Sequence, residues 1–349
     1  MKYYNWHKWY IFLLAAGLLT GCSADEPETP VKDDSQKEIK FQVTSASSTN
    51  ATRALIFDSN SDLQSHDIHI DAYYNATNTK YLDGARLKYN STYTKWLFYS
   101  SDWTNYYWPI PGSVLTSSSI TVSSLDFVGY VPYTQPSCIG EITYSVDNGL
   151  SFPATLPITS GSPNTFNETN QTSLQEFMYA YEGNQTKDSN SGTVNLQFQH
   201  PFALVYIYLG KAKRNTTINS VTLSGLKTEG TCTFNPNNTP ATVWSSLDTE
   251  ANLVKTVGKT VPGQLNFSAL IGGPYFVIPQ TLSGDKNLTV NRTYEDDTSD
   301  IYATLSTTWE PGKVYSYYLD LGEDLDVILI NVTIEEWATY NYKTPIDIK

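Results

Sequence analysis

The sequence predicts an all-β protein made of two β-sandwich domains in tandem, and three observations predict it. Its 26 Tyr, 13 Phe and 8 Trp, with abundant Thr, Val and Ile, are residues that suit a pleated, half-buried surface. Ala- or Leu-rich stretches with a 3.6-residue apolar period are nearly absent. Short alternating runs separated by turn residues recur along the chain, the pattern of sandwiches. The length of 349 residues leaves room for two domains of ordinary size behind a leader and a tether.

The leader comes first. Lys2 and Lys8 precede an apolar run that begins near Trp9 and closes at Leu19-Thr20-Gly21-Cys22. A basic start, a short apolar core and small residues before the cut make residues 1–21 a secretory signal peptide. The run is shorter than the ~20 apolar residues a spanning helix needs. The tetrapeptide resembles the bacterial lipobox, in which the cysteine is acylated and becomes the new N-terminus, so Cys22 is the expected lipidation site. Acyl chains buried at ~0.8 kcal/mol per CH₂ make such a tether stable. Residues 22–38 are polar, with Pro27 and Pro30, and read as a flexible acidic tether that buries too little apolar surface to offset its ordering entropy. Ser23-Ala24-Asp25-Glu26 resembles a surface-export signal of Gram-negative lipoproteins, which places the protein on the outer membrane facing outward.

Strands follow in order. Ile39, Phe41 and Val43 alternate with Lys40 and Gln42, and a small polar stretch from Thr44 then runs to Arg53-Ala54. Ile68, Ile70 and Ala72 alternate with His69 and Asp71. Leu87–Tyr89 and Thr94–Tyr99 flank Asn90-Ser91 as a hairpin, and Asp126 to Pro132 gives a strand stopped by proline. From Glu141 to Asn195 the chain reads as loop-heavy, with a short helical piece at Ser173 to Tyr179. The polar segment Glu182 to Gly192 sets the expected boundary between domains 39–186 and 187–349. Beyond it, Val194–Gln199, Ala203–Leu209, Ser220–Leu226, Tyr275–Pro279, Asn287–Tyr294, Tyr302–Thr307, Val314–Leu321 and Val327–Trp337 read as strands.

Charge and cysteine use exclude several functions. The whole chain carries 22 Lys+Arg against 35 Asp+Glu, and removal of the leader's two lysines makes the mature chain more acidic still. With no basic stripe, nucleic acid is not a partner. Cys138 and Cys232 lie far apart without a C-x-x-C motif, so no metal or cofactor site is expected. They read as two buried free thiols, with a single bridge as the alternative. No catalytic motif appears. His66 and His69 would face opposite sides of a strand, as would the adjacent Glu335 and Glu336. Glu295 to Asp300 lacks the glycine-bearing loop of a calcium site and reads as a solvated turn. Trp96, Trp103, Tyr106, Tyr107 and Trp108 could offer stacking platforms to sugars or fill a core, which leaves a surface-anchored carbohydrate-binding lipoprotein as the alternative function.

Several motifs then recur in order. They are Phe198-Gln199-His200-Pro201-Phe202-Ala203-Leu204-Val205, Phe276-Val277-Ile278-Pro279-Gln280, Trp309-Glu310-Pro311-Gly312-Lys313-Val314-Tyr315-Ser316-Tyr317 and Ile334 to Trp337. Tyr106-Tyr107-Trp108-Pro109 and Phe127 to Pro132 are in keeping with them. Together they resemble the fimbrillins, the lipoprotein subunits of type V pili. Gly312 gives a tight turn its φ > 0 position, with Pro311 setting the first corner. Tyr315, Tyr317 and Leu319 should share one sheet face, and His200, held extended by Pro201, should fix a neighbouring strand. The resemblance implies transthyretin-like, Greek-key sandwiches and cell adhesion. It further implies a membrane tether through lipid on Cys22, then cutting by an arginine-specific protease at Arg53-Ala54. Release of the first strand would let other pilus subunits donate a strand in its place. Thr344 to Lys349 and Val327–Trp337 are the candidate donor strands, and a host or bacterial surface receptor is a further partner.

Overall fold

The computed structural model describes residues 37–45, 60–99, 106–109, 124–172, 174–213, 215–261, 269–282, 284–321 and 328–337. The early elements are β1 (Lys40–Ser45), α1 (Asn60–Gln64), β2 (Ile68–Tyr74), β3 (Lys80–Asn90), β4 (Lys95–Phe98) and β5 (Leu125–Val131). They are followed by β6 (Thr143–Ser145), β7 (Gly149–Thr155), β8 (Thr165–Asn167), α2 (Glu168–Thr172), β9 (Met178–Gln185) and β10 (Thr193–Phe198). The remainder is β11 (Ala203–Lys211), β12 (Thr217–Phe234), β13 (Thr242–Thr260), β14 (Ala269–Val277), β15 (Leu288–Tyr294), β16 (Asp297–Ala303), β17 (Lys313–Leu321) and β18 (Ile328–Glu336). The protein is all-β, as its composition predicts, and the β3–β4 hairpin forms with Lys88 opposite Leu97.

Three sheets carry these strands. The first runs β10-β1-β4-β3-β2-β5-β9. Its end strands meet where Tyr179 and Gln199 exchange backbone hydrogen bonds of 3.2 and 2.8 Å. The sheet therefore rolls around its own core, which includes Phe41, Leu87, Phe127, Leu196 and Phe198. The second sheet runs β14-β11-β17-β18 and the third β16-β15-β12-β13-β8, with β7 added along the far half of β12. They enclose a second core around Phe152, Leu204, Val221, Tyr275, Tyr317 and Trp337. Each core is built from alternate residues of facing strands, the arrangement that period-2 patterning dictates.

Strand membership does not follow the expected cut at 186/187. β10 lies after the cut yet pairs with β1 in the first sheet, while β7 and β8 lie before it and pair with β12 and β13. The polar composition of 182–192 marks a turn between β9 and β10 rather than a border, because both strands close the same rolled sheet. The stretch from Glu141 to Asn195 is also richer in strands than expected. In β7, Leu150, Phe152 and Ala154 are buried in alternation, a signal that Pro153 obscures. Pro153 lies beyond the last β6 partner, Thr143 opposite Ser151, where a missing donor is tolerated. The helical piece at Ser173 to Tyr179 is not found: α2 ends at Thr172 and Met178 already belongs to β9. The long β13 escaped the sequence reading because its polar Ser, Asp, Thr and Glu residues dilute the apolar alternation.

Candidate functional site

β1 is an interior strand, not an edge. On one side all six of its residues pair in parallel with β10, from Lys40 opposite Thr193 to Ser45 opposite Phe198. On the other side it meets β4 antiparallel, with Phe41 opposite Trp96. The residues ahead of it are held by a separate segment, since Ile39 N–H donates to the Tyr106 carbonyl at 2.9 Å and Trp108 N–H donates to the Lys37 carbonyl at 2.9 Å. Lys37 and Glu38, read from the sequence as the end of the tether, are therefore part of this paired segment.

The inward row is Lys37, Ile39, Phe41, Val43 and Ser45. Ile39, Phe41, Val43 and Ser45 are all buried. Phe41 enters a box of rings, edge-on to Phe98 at 5.3 Å and to Phe127 at 5.8 Å. Tyr106 lies behind Phe98 at 4.4 Å, and Trp108 behind Phe127 at 5.7 Å. Lys37 Nζ donates to the Lys187 carbonyl at 2.9 Å. Its stem lies over Gly192, whose φ is +80° and where any Cβ would fall 2.8 Å from the lysine Cε. At the far end Ser45 N–H donates to Asn60 Oδ1 at 2.8 Å, so the two ends of the 46–59 connection are tied together. Burying three apolar side chains at about 1.5–3 kcal/mol each supplies most of what holds β1.

The sequence-based candidates are placed as follows. Cys22, Arg53 and Ala54 lie outside the described residues, as do Trp103 and the tail from Thr344 to Lys349. Trp96 and Trp108 are core residues, 7% and 3% exposed, so they are not stacking platforms. Tyr106 packs partly buried against the same core. Cys138 and Cys232 are free and buried, as expected, and burial pushes the Cys138 thiol up to about 11. His200 makes a side-chain contact as expected, but to a connecting segment instead of a strand: Nδ1 stands 2.6 Å from the carboxylate of Glu176, between α2 and β9. Its ring stacks on Trp337 at 4.0 Å with an interplanar angle of 1°. Gly312 has φ +69°, and Tyr315, Tyr317 and Leu319 share the buried face. Glu295 and Asp296 form the β15–β16 turn, and Glu336 pairs with Lys313 across β17 and β18. Among the described residues no three His, Cys, Asp or Glu side chains come together as metal ligands. No described helix is long and apolar enough to cross a membrane.

Sequence reasoning missed the carboxylate at Asp126, which is fully buried. It accepts from Asn75 Nδ2 at 2.8 Å and Tyr144 Oη at 2.8 Å, and from Asn184 N–H at 2.7 Å. An aspartate inside the apolar run Leu125 to Val131 was its only sequence signal.

Comparison with known proteins fits this architecture. The crystal structure of a fimbrial protein from Bacteroides vulgatus superposes with a TM-score of 0.52 at 13% identity, covering 86% of this chain and 99% of that one. The tip fimbrial protein Mfa3 from Porphyromonas gingivalis aligns at 12% identity over 86% of this chain and 100% of its own, with a TM-score of 0.41. No curated protein sequence matches the chain. A fimbrillin-like family model matches residues 49–337, and the chain therefore belongs to the fimbrillin-like family.

Proposed function

We propose that this chain is a pilus subunit armed by the loss of β1 and completed by a strand from a neighbouring subunit. The observation that carries the reading is the interior position of β1, between β10 and β4. Its removal would leave a row of unpaired N–H and C=O groups along β10, facing β4 across an open apolar groove, a template for another strand. Donor and acceptor surfaces differ, so the contact is heterologous and propagates as a filament. The link between β1 and the rest of its sheet is the connection 46–59, which contains Arg53-Ala54 in a Ser/Thr/Asn setting. Cutting there by an arginine-specific protease would leave β1 held by non-covalent contacts alone. Before the cut, lipid on Cys22 would hold the subunit at the outer membrane, facing outward, and the assembled fimbrium would support adhesion.

The test is intact mass of the Ser23–Lys349 chain after brief arginine-specific proteolysis, with negative-stain microscopy, for the natural sequence and for Arg53→Ala. The expected result is one cut after Arg53 followed by polymers, both lost in the variant. Polymers that form equally well with Arg53→Ala would refute the processing step. The carbohydrate-binding alternative loses its main sequence support, because Trp96 and Trp108 are occupied in packing.

A further inference from the structure

We infer that the β1 seat reads the chemistry of its occupant at five alternate positions, and so selects a donor strand unlike this chain's own β18. The inference rests on the strand-exchange reading above and specifies the partner that reading requires. The five positions are those of Lys37, Ile39, Phe41, Val43 and Ser45, and each is met by a different surface. The first receives a long cation on a backbone carbonyl, that of Lys187, across the bare floor at Gly192. The third is the ring box of Phe98 and Phe127, backed by Tyr106 and Trp108. The second and fourth take Ile39 and Val43, 2% and 8% exposed. The fifth closes over a small residue, Ser45, whose N–H is capped by Asn60. Direction is set as well, because the six-residue ladder with β10 is parallel.

A matching donor therefore reads cation-x-aliphatic-x-aromatic-x-aliphatic-x-small, running parallel to β10. Among the described strands β18 presents two exposed aliphatic residues in one row, Val332 at 39% and Ile334 at 50%. Its row Ile328, Ile330, Val332, Ile334 and Glu336 fails in each frame. With Val332 in the ring box, Glu336 falls at the small buried position. With Ile334 there, Glu336 takes the Val43 position, an unpaired buried charge. With Ile330 there, Asp326 faces the Lys187 carbonyl, acceptor against acceptor. Neither the β18 strand of a second copy nor its Thr344–Lys349 segment, which has no aromatic residue, is therefore the occupant; a strand from a different subunit, with an aromatic at its centre, is.

Two arms test this. In the uncut chain, Phe41→Val is expected to lower the melting midpoint by about 3–6 °C and Phe41→Tyr by less. Indifference to Phe41→Val would overturn the selectivity whether or not exchange occurs. In the second arm, the arginine-cut chain is mixed with labelled peptides of the Lys37–Ser45 sequence, its Phe41→Val form and the Ile328–Glu336 sequence, read by fluorescence anisotropy. The first is expected to bind, the second about tenfold more weakly and the third at least a hundredfold more weakly. Equal binding of the three peptides overturns the selectivity and leaves strand acceptance standing. If none binds while the uncut chain still discriminates at position 41, it is the strand-exchange reading that fails, and with it the inferred donor.

Discussion

Asp126→Ala should be among the most damaging single changes outside the apolar cores. The carboxylate is fully buried and takes three hydrogen bonds, from the turn after β2, from β6 and from β9. It therefore ties the rolled first sheet to the β6–β7 hairpin, which belongs with β12. A hydrogen bond to a charged group contributes about 1.5–3 kcal/mol net, and an orphaned buried donor costs about 1–3 kcal/mol. Asn75 and Tyr144 are only part-buried and can recover some bonding from water. Asn184 is itself an exposed residue, so all three donors can recover some bonding from water and the expected loss is about 2–4 kcal/mol. Asp126→Asn keeps one acceptor oxygen and should lose about 2 kcal/mol. Urea unfolding at constant m gives the number. A second readout is the Tyr144 phenol, whose pKa is raised well above normal by burial first and then by its bonds to Tyr181 and Asp126. Without the carboxylate that phenol should ionise at lower pH. An Asp126→Ala loss below about 1 kcal/mol, with the Tyr144 titration unmoved, would refute the clamp.

Other outcomes follow from the same geometry. Glu176→Ala should cost about 3 kcal/mol in urea unfolding, because it strands His200 in a site where both side chains are 2% exposed. Adding His200→Leu should recover part of that loss. Asp71 is pushed up by burial, but bonds from His69 and the Gly84 N–H and the charge of Lys80 outweigh this and leave it below 3.8. A depressed carboxylate stabilises above its unfolded pKa and stops doing so as pH falls through its folded one. The stability gap between the natural chain and Asp71→Asn should therefore be constant above about pH 5 and close below pH 3.8. Cys138 and Cys232 should resist a thiol reagent at pH 8 until the chain unfolds, since burial raises both thiols. Fast labelling of folded protein would contradict their packing.

Strand-forming composition and alternation reveal the fold class and most elements because each depends on neighbours two residues apart. β1, β2, β15 and β17 are legible for that reason, each with an apolar row on one face, while β5 is buried on both faces, between the two cores, and shows as a continuous apolar run. Where a strand obeys other demands, the pattern fades. Pro153 interrupts β7 without breaking it, and β13 has no fully buried residue outside the Ala251–Leu253 stretch, so little selects apolar residues there. Sheet membership is less legible still. Nothing local in Val194–Gln199 says that it will close the first sheet instead of opening the next, since that choice is made by a parallel partner some 150 residues upstream.

That long-range pairing also explains why the seat of β1 suits exchange. Parallel neighbours cannot be joined by a tight turn, so the first and last strands of the rolled sheet are brought together by everything between them. Around β1, β4 and β5 are bound to β3, β2 and β9 by ladders of their own, while β10 has β1 as its one ladder partner among the described strands and otherwise meets β9 through the Tyr179–Gln199 bridge. β1 contributes one ladder, three apolar side chains and a lysine anchor, and its ends meet the rest through backbone bonds at Ile39 and Ser45. Each of those contacts uses the backbone or a side-chain class that another strand can supply. The rolled sheet needs a strand at this place far more than it needs this strand.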